Sequence, residues 1–537
     1  MSNWTSLRRA LLAKQSAWLL ALILVVALAL RLWALDFGLP HLFHPDEDAV
    51  VMPALLMLKT GNLEPDRFEY GSLQIYALTA VSTIVYLYLA RAGLVGDPTQ
   101  LPIYERGAYP MTYALLDFFL AARLLSAVAG VGIVLMVYML TRRLANQRQA
   151  LVAAAITAVT PMLVDNAHYA TPDTLLTFWT LLTLYLLVRA YDNWDTGNLW
   201  AYVGAAFVGG LATSTKYNGA VLLVPVLLVP LLKNKSLDDY LSLRTLGGPL
   251  GFVAGFLAAS PFALLNLPLF LKWAGYAFRL YNQPSANFAV PSWQWHLQYL
   301  ATSREAPVFI VGLLGFFFSL KQWGRRGWIV NSFALFFTLA IFTQTGRQPR
   351  MWLPLAPIFA AWAALFIDTA AHYIQKKMAQ RVVTDGRNPV WRATFATYLP
   401  VVLALLLLLP AFAASLRIVS ALQGPDVRLL AANWIETNVP AGAVVAVDYF
   451  PPNVDTAVWP VVRTFRHSQH DLDWFTEQNV AYLIFSQGIY SEQRLPPAEE
   501  PAYQLLLGQL CPVETVYGSF ISNPDFTMRI YRVPPCS

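Results

Sequence analysis

The stretch AWLLALILVVALALRLWAL at residues 17–35 determines the fold class of this chain. It is apolar apart from Arg31, and it is as long as a helix that crosses the hydrocarbon core of a bilayer, about 17–25 residues. Arg8, Arg9 and Lys14 precede it, and no small-residue cleavage site follows it. We therefore interpret it as a retained first membrane span, and not as a removed signal peptide.

The composition extends this interpretation to most of the chain. Of the 537 residues, 57% are hydrophobic and 13% are charged, whereas soluble globular domains carry about 25% charged residues. The net charge of +6 is modest, and no block of Lys and Arg is long enough to indicate a nucleic-acid partner. The composition therefore indicates an integral membrane protein whose surroundings are a lipid bilayer.

Apolar runs of spanning length recur along the first three quarters of the sequence. About 11 spans are predicted on this basis, at 17–35, 117–140, 149–165, 173–190, 200–214, 217–233, 246–264, 306–321, 328–343, 351–368 and 395–415. The run at 73–90 is also apolar. If it does not span, nearly every later cluster of Lys and Arg falls on the cytoplasmic side, as the positive-inside rule requires.

This topology predicts a helix at 73–90 on the outer face, within a long first external loop at 36–116. The N-terminus is then cytoplasmic and the C-terminus is extracytoplasmic. We predict a polytopic α-helical membrane protein, with a membrane domain at 1–417 and an extracytoplasmic α/β domain at 418–537.

The second domain alternates helical and strand patterns, which is typical of a small α/β domain. Helices are predicted at 426–439, 471–479 and 499–510, and strands at 443–450, 480–486 and 527–533. The two cysteines of the chain, Cys511 and Cys536, lie in this domain. In an oxidising compartment they form a disulfide; the alternative is two unpaired thiols.

Polar side chains gather at the predicted outer face. The segment FHPDED at 43–48 supplies carboxylates just after the first span, and later turns add further acids and cations. Ionisable groups at membrane depth are costly and indicate a functional site. The candidates are Asp46, Glu47, Arg123, His168, Asp173, Lys216, Tyr217 and Arg350.

A plainer role exists for each of these residues. An acidic loop after a first helix can be a solvated cap, and Lys216 and Arg350 can reach to lipid headgroups. Arg123 can pair with Asp117 or with an acid on another span, and His168 can cap a helix. These alternatives stay open at the level of the sequence.

A carboxylate and a cation on one face suit a particular reaction. A carboxylate takes a proton from an acceptor hydroxyl, and cations hold a phosphate and stabilise it as it leaves. Together they describe transfer of a sugar from a lipid phosphate. A divalent metal site is the alternative use, with His44, His168, Asp46 and Glu47 as ligands for Mg, Mn or Zn.

Several short motifs occur in the order found in one family. They are His44-Pro45-Asp46-Glu47, the segment EYGSLQIY at 69–76, ARLLSA at 122–127, HYATPD at 168–173, STKYNG at 214–219 and RMWLP at 350–354. Together they resemble the polytopic GT-C glycosyltransferases, in the branch of protein O-mannosyltransferases and aminoarabinose transferases. The chain departs from the family pattern at 69–76, which lacks two prolines, and at Thr171, which stands in place of an arginine.

The resemblance implies an inverting glycosyltransferase whose donor is a sugar on a polyprenyl phosphate. It implies Asp46 as the catalytic base with Glu47 beside it, and Asp173 as a second acid of the site. Lys216, Arg123 and Arg350 would contact the carrier phosphate, and His168 and Tyr217 would line the substrate site. The acceptor is left undefined, and a bacterial or archaeal plasma membrane is the expected location.

Other functions use parts of the same pattern. A lipid-linked sugar transporter or flippase expects charges near the middle of the bilayer and broken helices in matching halves, which the sequence lacks. A receptor with a membrane anchor does not need about 11 spans with polar residues on one face. An oligosaccharide ligase with a lipid-diphosphate donor would use the same face.

Overall fold

The computed structural model describes residues 2–44, 46–103, 113–196, 198–234, 236, 239, 242–282, 290–385, 390–490 and 498–534. The chain divides into two compact units. The first combines Met1–Gln283 with Trp295–Leu416, and the second combines Pro284–Gln294 with Arg417–Ser537. Each unit is described separately below.

The described part of the first unit is helical, and its last helix continues into the second unit. The helices are α1 (Ser2–Leu32), α2 (Asp48–Thr60), α3 (Ser72–Arg91), α4 (Tyr113–Leu144), α5 (Gln147–Val159), α6 (Pro161–Asp165), α7 (Pro172–Asp192), α8 (Leu199–Thr215), α9 (Leu223–Lys233), α10 (Leu243–Ala259), α11 (Phe262–Leu265), α12 (Leu267–Asn282), α13 (Ser292–Thr302), α14 (Ala306–Gln322), α15 (Gly324–Thr343), α16 (Ala356–Asp385) and α17 (Val390–Gln423).

Seven described helices are long and apolar enough to cross a membrane, in α1, α3, α4, α7, α15, α16 and α17. Two bent pairs raise this number to nine: Gln147–Val159 with Pro161–His168, bent by 63°, and Ser292–Thr302 with Ala306–Gln322, bent by 106°. Three shorter apolar helices, which include α8 and α10, correspond to the remaining predicted spans. The prediction of a polytopic helical membrane protein is therefore confirmed.

The first external loop of the prediction contains two helices, α2 and α3. Apolar residues of α2 that are one helical turn apart, such as Val50 and Ala54, are fully buried and join Ile75 and Leu78 of α3 in one apolar cluster. Helix α3 is itself among those long and apolar enough to span. Its location on the outer face therefore stays a prediction.

The second unit contains a five-stranded sheet in the order β2-β1-β3-β5-β4. Strands β1 (Val444–Val447), β2 (Val461–Arg463) and β3 (Val480–Ser486) are parallel, and β5 (Asn523–Arg532) runs antiparallel to β3 and to β4 (Cys511–Phe520). The helices of this unit after α17 are α18 (Val427–Asn438), α19 (Leu472–Glu477), α20 (Gln487–Tyr490) and α21 (Glu500–Gln509).

The α/β prediction for this unit is confirmed. Helix α18 packs with one face of the sheet, where Ile435 meets Val445 and Ile484. The other face meets α19 and α21 through a separate apolar cluster that includes Phe475 and Leu506.

Strands β2 and β4 were not predicted. Strand β2 has only three residues, and β4 contains Pro512 and Gly518, which are both unfavourable in strands. The predicted Cys511–Cys536 disulfide cannot be followed, because Cys536 lies outside the described residues.

Asp448, directly after β1, gives this unit a pH dependence. The carboxylate accepts hydrogen bonds from the amide of Ser486 at 2.6 Å and from its hydroxyl. Burial raises the pKa of Asp448 to about 7, above its ordinary value of about 4. The folded form then binds a proton more tightly than the unfolded form, so stability should fall as the pH rises from about 4 to 7.

We expect Asp448→Asn to remove this pH dependence, because the amide does not titrate, although its single oxygen replaces only one of the two carboxylate oxygens that accept from the amides of Ser486 and Phe450. Hydrogen exchange at the Ser486 amide, corrected for the intrinsic rate, should show weaker protection at pH about 8 than at pH about 5 in the native protein only. Asp455→Asn, at an exposed carboxylate, is the control. An unchanged pH slope in Asp448→Asn would contradict the assignment.

Candidate functional site

Asp46 forms an ion pair with Arg350, which is 304 residues later in the chain. Asp46 lies just before α2, and Arg350 lies in a 3-10 turn at Pro349–Trp352. Both side chains keep a small exposed fraction, 18% and 17%. The carboxylate is therefore reachable from outside the protein.

The charge of Asp46 is set by two opposing effects. Burial by itself would raise the pKa of this carboxyl, but the positive charge of Arg350 and the interaction with His44 hold the pKa below its usual range. Asp46 is consequently ionised, and its basicity is reduced for as long as Arg350 remains beside it.

A second ion pair joins Asp173 and Lys216. The Lys216 Nζ donates to Asp173 Oδ1 at 2.7 Å, and the two side chains are only 8% and 4% exposed. Asp173 begins α7, and Lys216 directly follows α8. The other oxygen of Asp173, Oδ2, is buried without a hydrogen-bond partner among the described residues.

Two tyrosines connect these ion pairs. Tyr70 interacts electrostatically with Asp46, Asp173 and Arg350, and its ring centre lies 5.9 Å from Lys216 Nζ. Tyr281, near the end of α12, interacts electrostatically with both Lys216 and Arg350. The structure therefore unites these six side chains in one cluster, which we call the outer charge cluster.

Only one of the two tyrosines lies in a motif that the sequence analysis identified. Tyr70 belongs to the segment at 69–76 that carried part of the resemblance, whereas Tyr281 lies in no motif. Burial raises the pKa of the Tyr70 hydroxyl well above its ordinary value. This hydroxyl is therefore a neutral hydrogen-bond donor.

The position of Tyr70 depends on the chain segments around it. The Tyr217 hydroxyl lies 2.8 Å from the Phe68 carbonyl oxygen and 3.2 Å from that of Tyr70. A Cβ at Gly71 would lie 2.0 Å from the Ser214 carbonyl oxygen, so only glycine allows this approach. Tyr217 thus contacts the main chain that carries Tyr70, and it is not a member of the charge cluster itself.

Glu47 and Arg123 form a separate ion pair with no exposed surface. Two hydrogen bonds of 2.8 Å join the guanidinium to the carboxylate, and both side chains are 0% exposed. Glu47 also accepts from the Ala170 amide at 2.9 Å. Arg123 donates to the carbonyl oxygens of Leu35 and Phe37.

The sequence placed Glu47 in the reaction and Arg123 at the carrier phosphate. In the structure they instead form one buried ion pair, which we call the lock. It connects the end of the α1 segment, the start of α2, helix α4 and the segment before α7. The sequence left open a pair of Arg123 with Asp117 or with an acid on another span. The partner is neither, but Glu47, which lies in the loop directly before α2.

The ring nitrogens of the two histidines contact the backbone around the site. The ring nitrogens of His168 lie 2.8 Å and 2.9 Å from the carbonyl oxygens of Val164 and Trp33, so both are occupied by the backbone. His44 stacks on Tyr169, accepts from the Asp46 amide through Nδ1, and burial lowers its pKa to about 4. Among the described residues no group of three potential metal ligands occurs.

An apolar groove of about 450 Å³ lies beside the turn that carries Arg350. Helices α13 to α16 form its walls, and Trp352, two residues after Arg350, lines it. The other lining residues are apolar apart from Thr338. The groove can therefore hold part of a hydrocarbon chain, and its lining residue Trp352 is two residues from Arg350 of the outer charge cluster.

Known proteins share both sequence and fold with this chain. Residues 112–265 match the family model described as dolichyl-phosphate-mannose-protein mannosyltransferase. A putative mannosyltransferase of Bacillus subtilis (strain 168), YkcB, is 35% identical over 103 residues, and this match covers 19% of the present chain and 14% of the relative.

Solved structures are similar over almost the whole chain. The oligosaccharyltransferase of Archaeoglobus fulgidus in its apo form has a TM-score of 0.56 at 13% identity, over 97% of this chain and 75% of that one. The ArnT of Cupriavidus metallidurans bound to undecaprenyl phosphate has a TM-score of 0.51 at 15% identity, over 95% and 97%. The resemblance to the GT-C glycosyltransferases is confirmed, and the chain has their fold.

We expect Arg123→Met to destabilise the protein by about 3–5 kcal/mol, because Glu47 would be left buried and charged without its partner. The double variant Glu47→Gln with Arg123→Met should lose less free energy of unfolding than Arg123→Met alone, since neither residue of the pair then carries a buried charge. Equilibrium unfolding in detergent measures both. Arg67→Met, at a half-exposed pair with Glu69, should lose at most about 1 kcal/mol. An equal loss of stability in Arg67→Met and Arg123→Met would contradict the claim that the pair of Glu47 and Arg123 stabilises the fold.

Proposed function

We propose that this protein transfers a sugar from a polyprenyl-phosphate donor to an acceptor hydroxyl at the extracytoplasmic face of a cell membrane. The observation that carries the proposal is the outer charge cluster beside the apolar groove. A polyprenyl chain is too apolar to leave the bilayer, and the groove offers it an apolar surface beside the turn that carries Arg350. The fold of the GT-C glycosyltransferases and the mannosyltransferase family match support the same class of reaction.

In this proposal Arg350 and Lys216 bind the phosphate of the donor. Both cations are paired with carboxylates in the structure, and the phosphate of the donor, with one negative charge over two oxygens, can accept hydrogen bonds from both of them at once. The donor would then draw Arg350 away from Asp46. The pKa of Asp46 would rise toward its ordinary value, and the carboxylate would become a better base once the donor is in place.

The chemical step then needs one carboxylate and two cations. The acceptor oxygen attacks the anomeric carbon of the sugar while Asp46 takes the hydroxyl proton. The bond between that carbon and the phosphate oxygen breaks, and its electron pair leaves with the polyprenyl phosphate. Arg350 and Lys216 stabilise the added charge on the phosphate. Attack opposite the leaving group inverts the configuration at the anomeric carbon.

The other candidate residues have supporting roles in the proposal. The free oxygen of Asp173 accepts a hydroxyl of the donor sugar, and the neutral Tyr70 donates a hydrogen bond nearby. Glu47 and Arg123 position Asp46 through the start of α2, and Tyr217 positions Tyr70. The N-terminus would be cytoplasmic, with the α/β unit on the side where transfer occurs.

We expect Asp46→Asn to lower the rate of sugar transfer by at least 100-fold, because an amide keeps the shape of the side chain but takes no proton. Donor affinity should stay the same or increase, since Arg350 is released from its ion pair. Transfer from a radiolabelled polyprenyl-phosphate sugar and retention of that donor on the protein measure the two effects. Asp97→Asn, which changes an exposed carboxylate of the same loop, is the matched control. Full activity of Asp46→Asn would show that Asp46 is not the base, and Asp173, the other carboxylate of the outer charge cluster, would be tested next.

Lys216→Ala should act on binding more than on chemistry. The variant removes one of the two phosphate contacts and leaves Asp173 without its cation, so we expect the affinity for polyprenyl phosphate to fall by about tenfold or more. The affinity for the uncharged polyprenol should change little. Binding of both lipids to the purified variant tests this, and an equal loss for the two lipids would exclude a phosphate contact.

A further inference from the structure

The turn that carries Arg350 is anchored in the protein by Trp352. This turn, Pro349–Trp352, is 3-10 helical, with about three residues in each turn, so side chains two positions apart leave it in different directions. Arg350 reaches the outer charge cluster, whereas Trp352 is fully buried. Three phenylalanine rings have their centres within 6.4 Å of the centre of the Trp352 ring, namely Phe309, Phe342 and Phe359.

His296, in α13, is the hydrogen-bond partner of this tryptophan. Trp352 Nε1 donates to His296 Nδ1 at 3.1 Å, and both side chains are fully buried. An indole N–H can only donate, so Nδ1 of the imidazole is unprotonated and Nε2 carries the proton. Nε2 is buried without a hydrogen-bond partner among the described residues. Because a buried N–H without an acceptor costs free energy, the bond to Nδ1 fixes the rotation of the Trp352 ring.

This anchor matters most when the donor is bound. In the structure the Arg350 guanidinium pairs with Asp46, and its Nε donates at 2.8 Å to Gln348, two residues before it in the same segment. In the reaction proposed above, the donor phosphate draws Arg350 away from Asp46, so the contact with the segment before α2 is lost. The place of the guanidinium then depends on the place of its turn, which Trp352 and His296 determine.

We propose that His296 is a positioning residue which, through Trp352, holds Arg350 where it meets the phosphate of the donor. The proposal rests on the transferase function proposed above and adds to it a residue outside the motifs that the sequence analysis identified. His296 acts through its bond to Trp352 and not through a contact with substrate. Its effect therefore belongs to recognition of the phosphate, and not to binding of the apolar chain.

We expect His296→Leu to lower the affinity for polyprenyl phosphate by about threefold to tenfold, because the indole loses its acceptor and the turn with Arg350 is no longer fixed. The affinity for uncharged polyprenol should change little. Binding of both lipids to the purified full-length protein in detergent measures the preference for the phosphate. Retention of polyprenol also shows that the variant is folded.

Two amide variants identify the atom of His296 that matters. The side-chain oxygen of Asn reaches the place of Nδ1, and that of Gln reaches the place of Nε2, and both oxygens accept hydrogen bonds. His296→Asn should therefore keep the preference for the phosphate, and His296→Gln should lose it. Trp352→Phe, which removes only the donor, should act like His296→Leu, and the two changes together should add nothing further.

A second tryptophan of the groove supplies the matched control. Trp362 also lines the groove, and its Nε1 donates at 3.2 Å to the buried Asn331, but it belongs to α16 and not to the turn with Arg350. Asn331→Leu removes a bond of the same kind from the same groove. The affinities for polyprenyl phosphate and polyprenol should then change together, so the preference for the phosphate is kept.

The outcomes separate this proposal from the one on which it rests. If the native protein binds polyprenol as well as polyprenyl phosphate, the phosphate site proposed above fails, and this inference fails with it. If the native protein prefers the phosphate and His296→Leu keeps that preference, or loses both lipids equally, the role of His296 is overturned while the phosphate site stands. The same holds if His296→Asn does not keep the preference or if Asn331→Leu loses it.

Discussion

The ion pair between Glu47 and Arg123 is the interaction on which the rest of the site depends. Removing two charges from water costs several kcal/mol per ion, and only close pairing with further hydrogen bonds compensates for that cost. Here the pair obtains them from Ala170, Leu35 and Phe37. The same bonds tie the end of the first helix segment, the start of α2 and the segment before α7 to α4. Asp46, the residue next to Glu47, is placed by this lock.

The outer charge cluster differs from the lock in one physical respect. Asp46 and Arg350 remain partly exposed, and one buried oxygen of Asp173 has no hydrogen-bond partner within the part of the chain that the structure describes. The pair of Glu47 and Arg123, by contrast, is fully buried. The cations of the outer charge cluster are held in place by acids that a phosphate can replace. Charges that are paired but exchangeable suit a site that binds an anionic lipid, releases it and begins again. In the proposed reaction, the pair of Glu47 and Arg123 keeps the segments in place, and the outer charge cluster binds the phosphate and takes the proton.

The apolar groove and the first loop meet at one ion pair. The groove takes its walls from α13 to α16, and Trp352, two residues after Arg350, lines it. Asp46 comes from the segment before α2 and pairs with Arg350. The Tyr217 hydroxyl contacts the main chain at Phe68 and Tyr70, so a residue after α8 supports the segment that carries Tyr70.

The sequence by itself determined the membrane class, most helices, the α/β character of the last unit and the acids and cations of the outer turns. These follow from local properties, namely the length of apolar runs, the period of the pattern and the position of charges at helix ends. Only the tertiary structure decided the partners. Arg123 and Glu47 are 76 residues apart, and Arg350 and Asp46 are 304 apart, and no local pattern fixes which cation meets which acid. For the same reason, only the tertiary structure shows that Tyr281, which lies in no motif, belongs to the outer charge cluster.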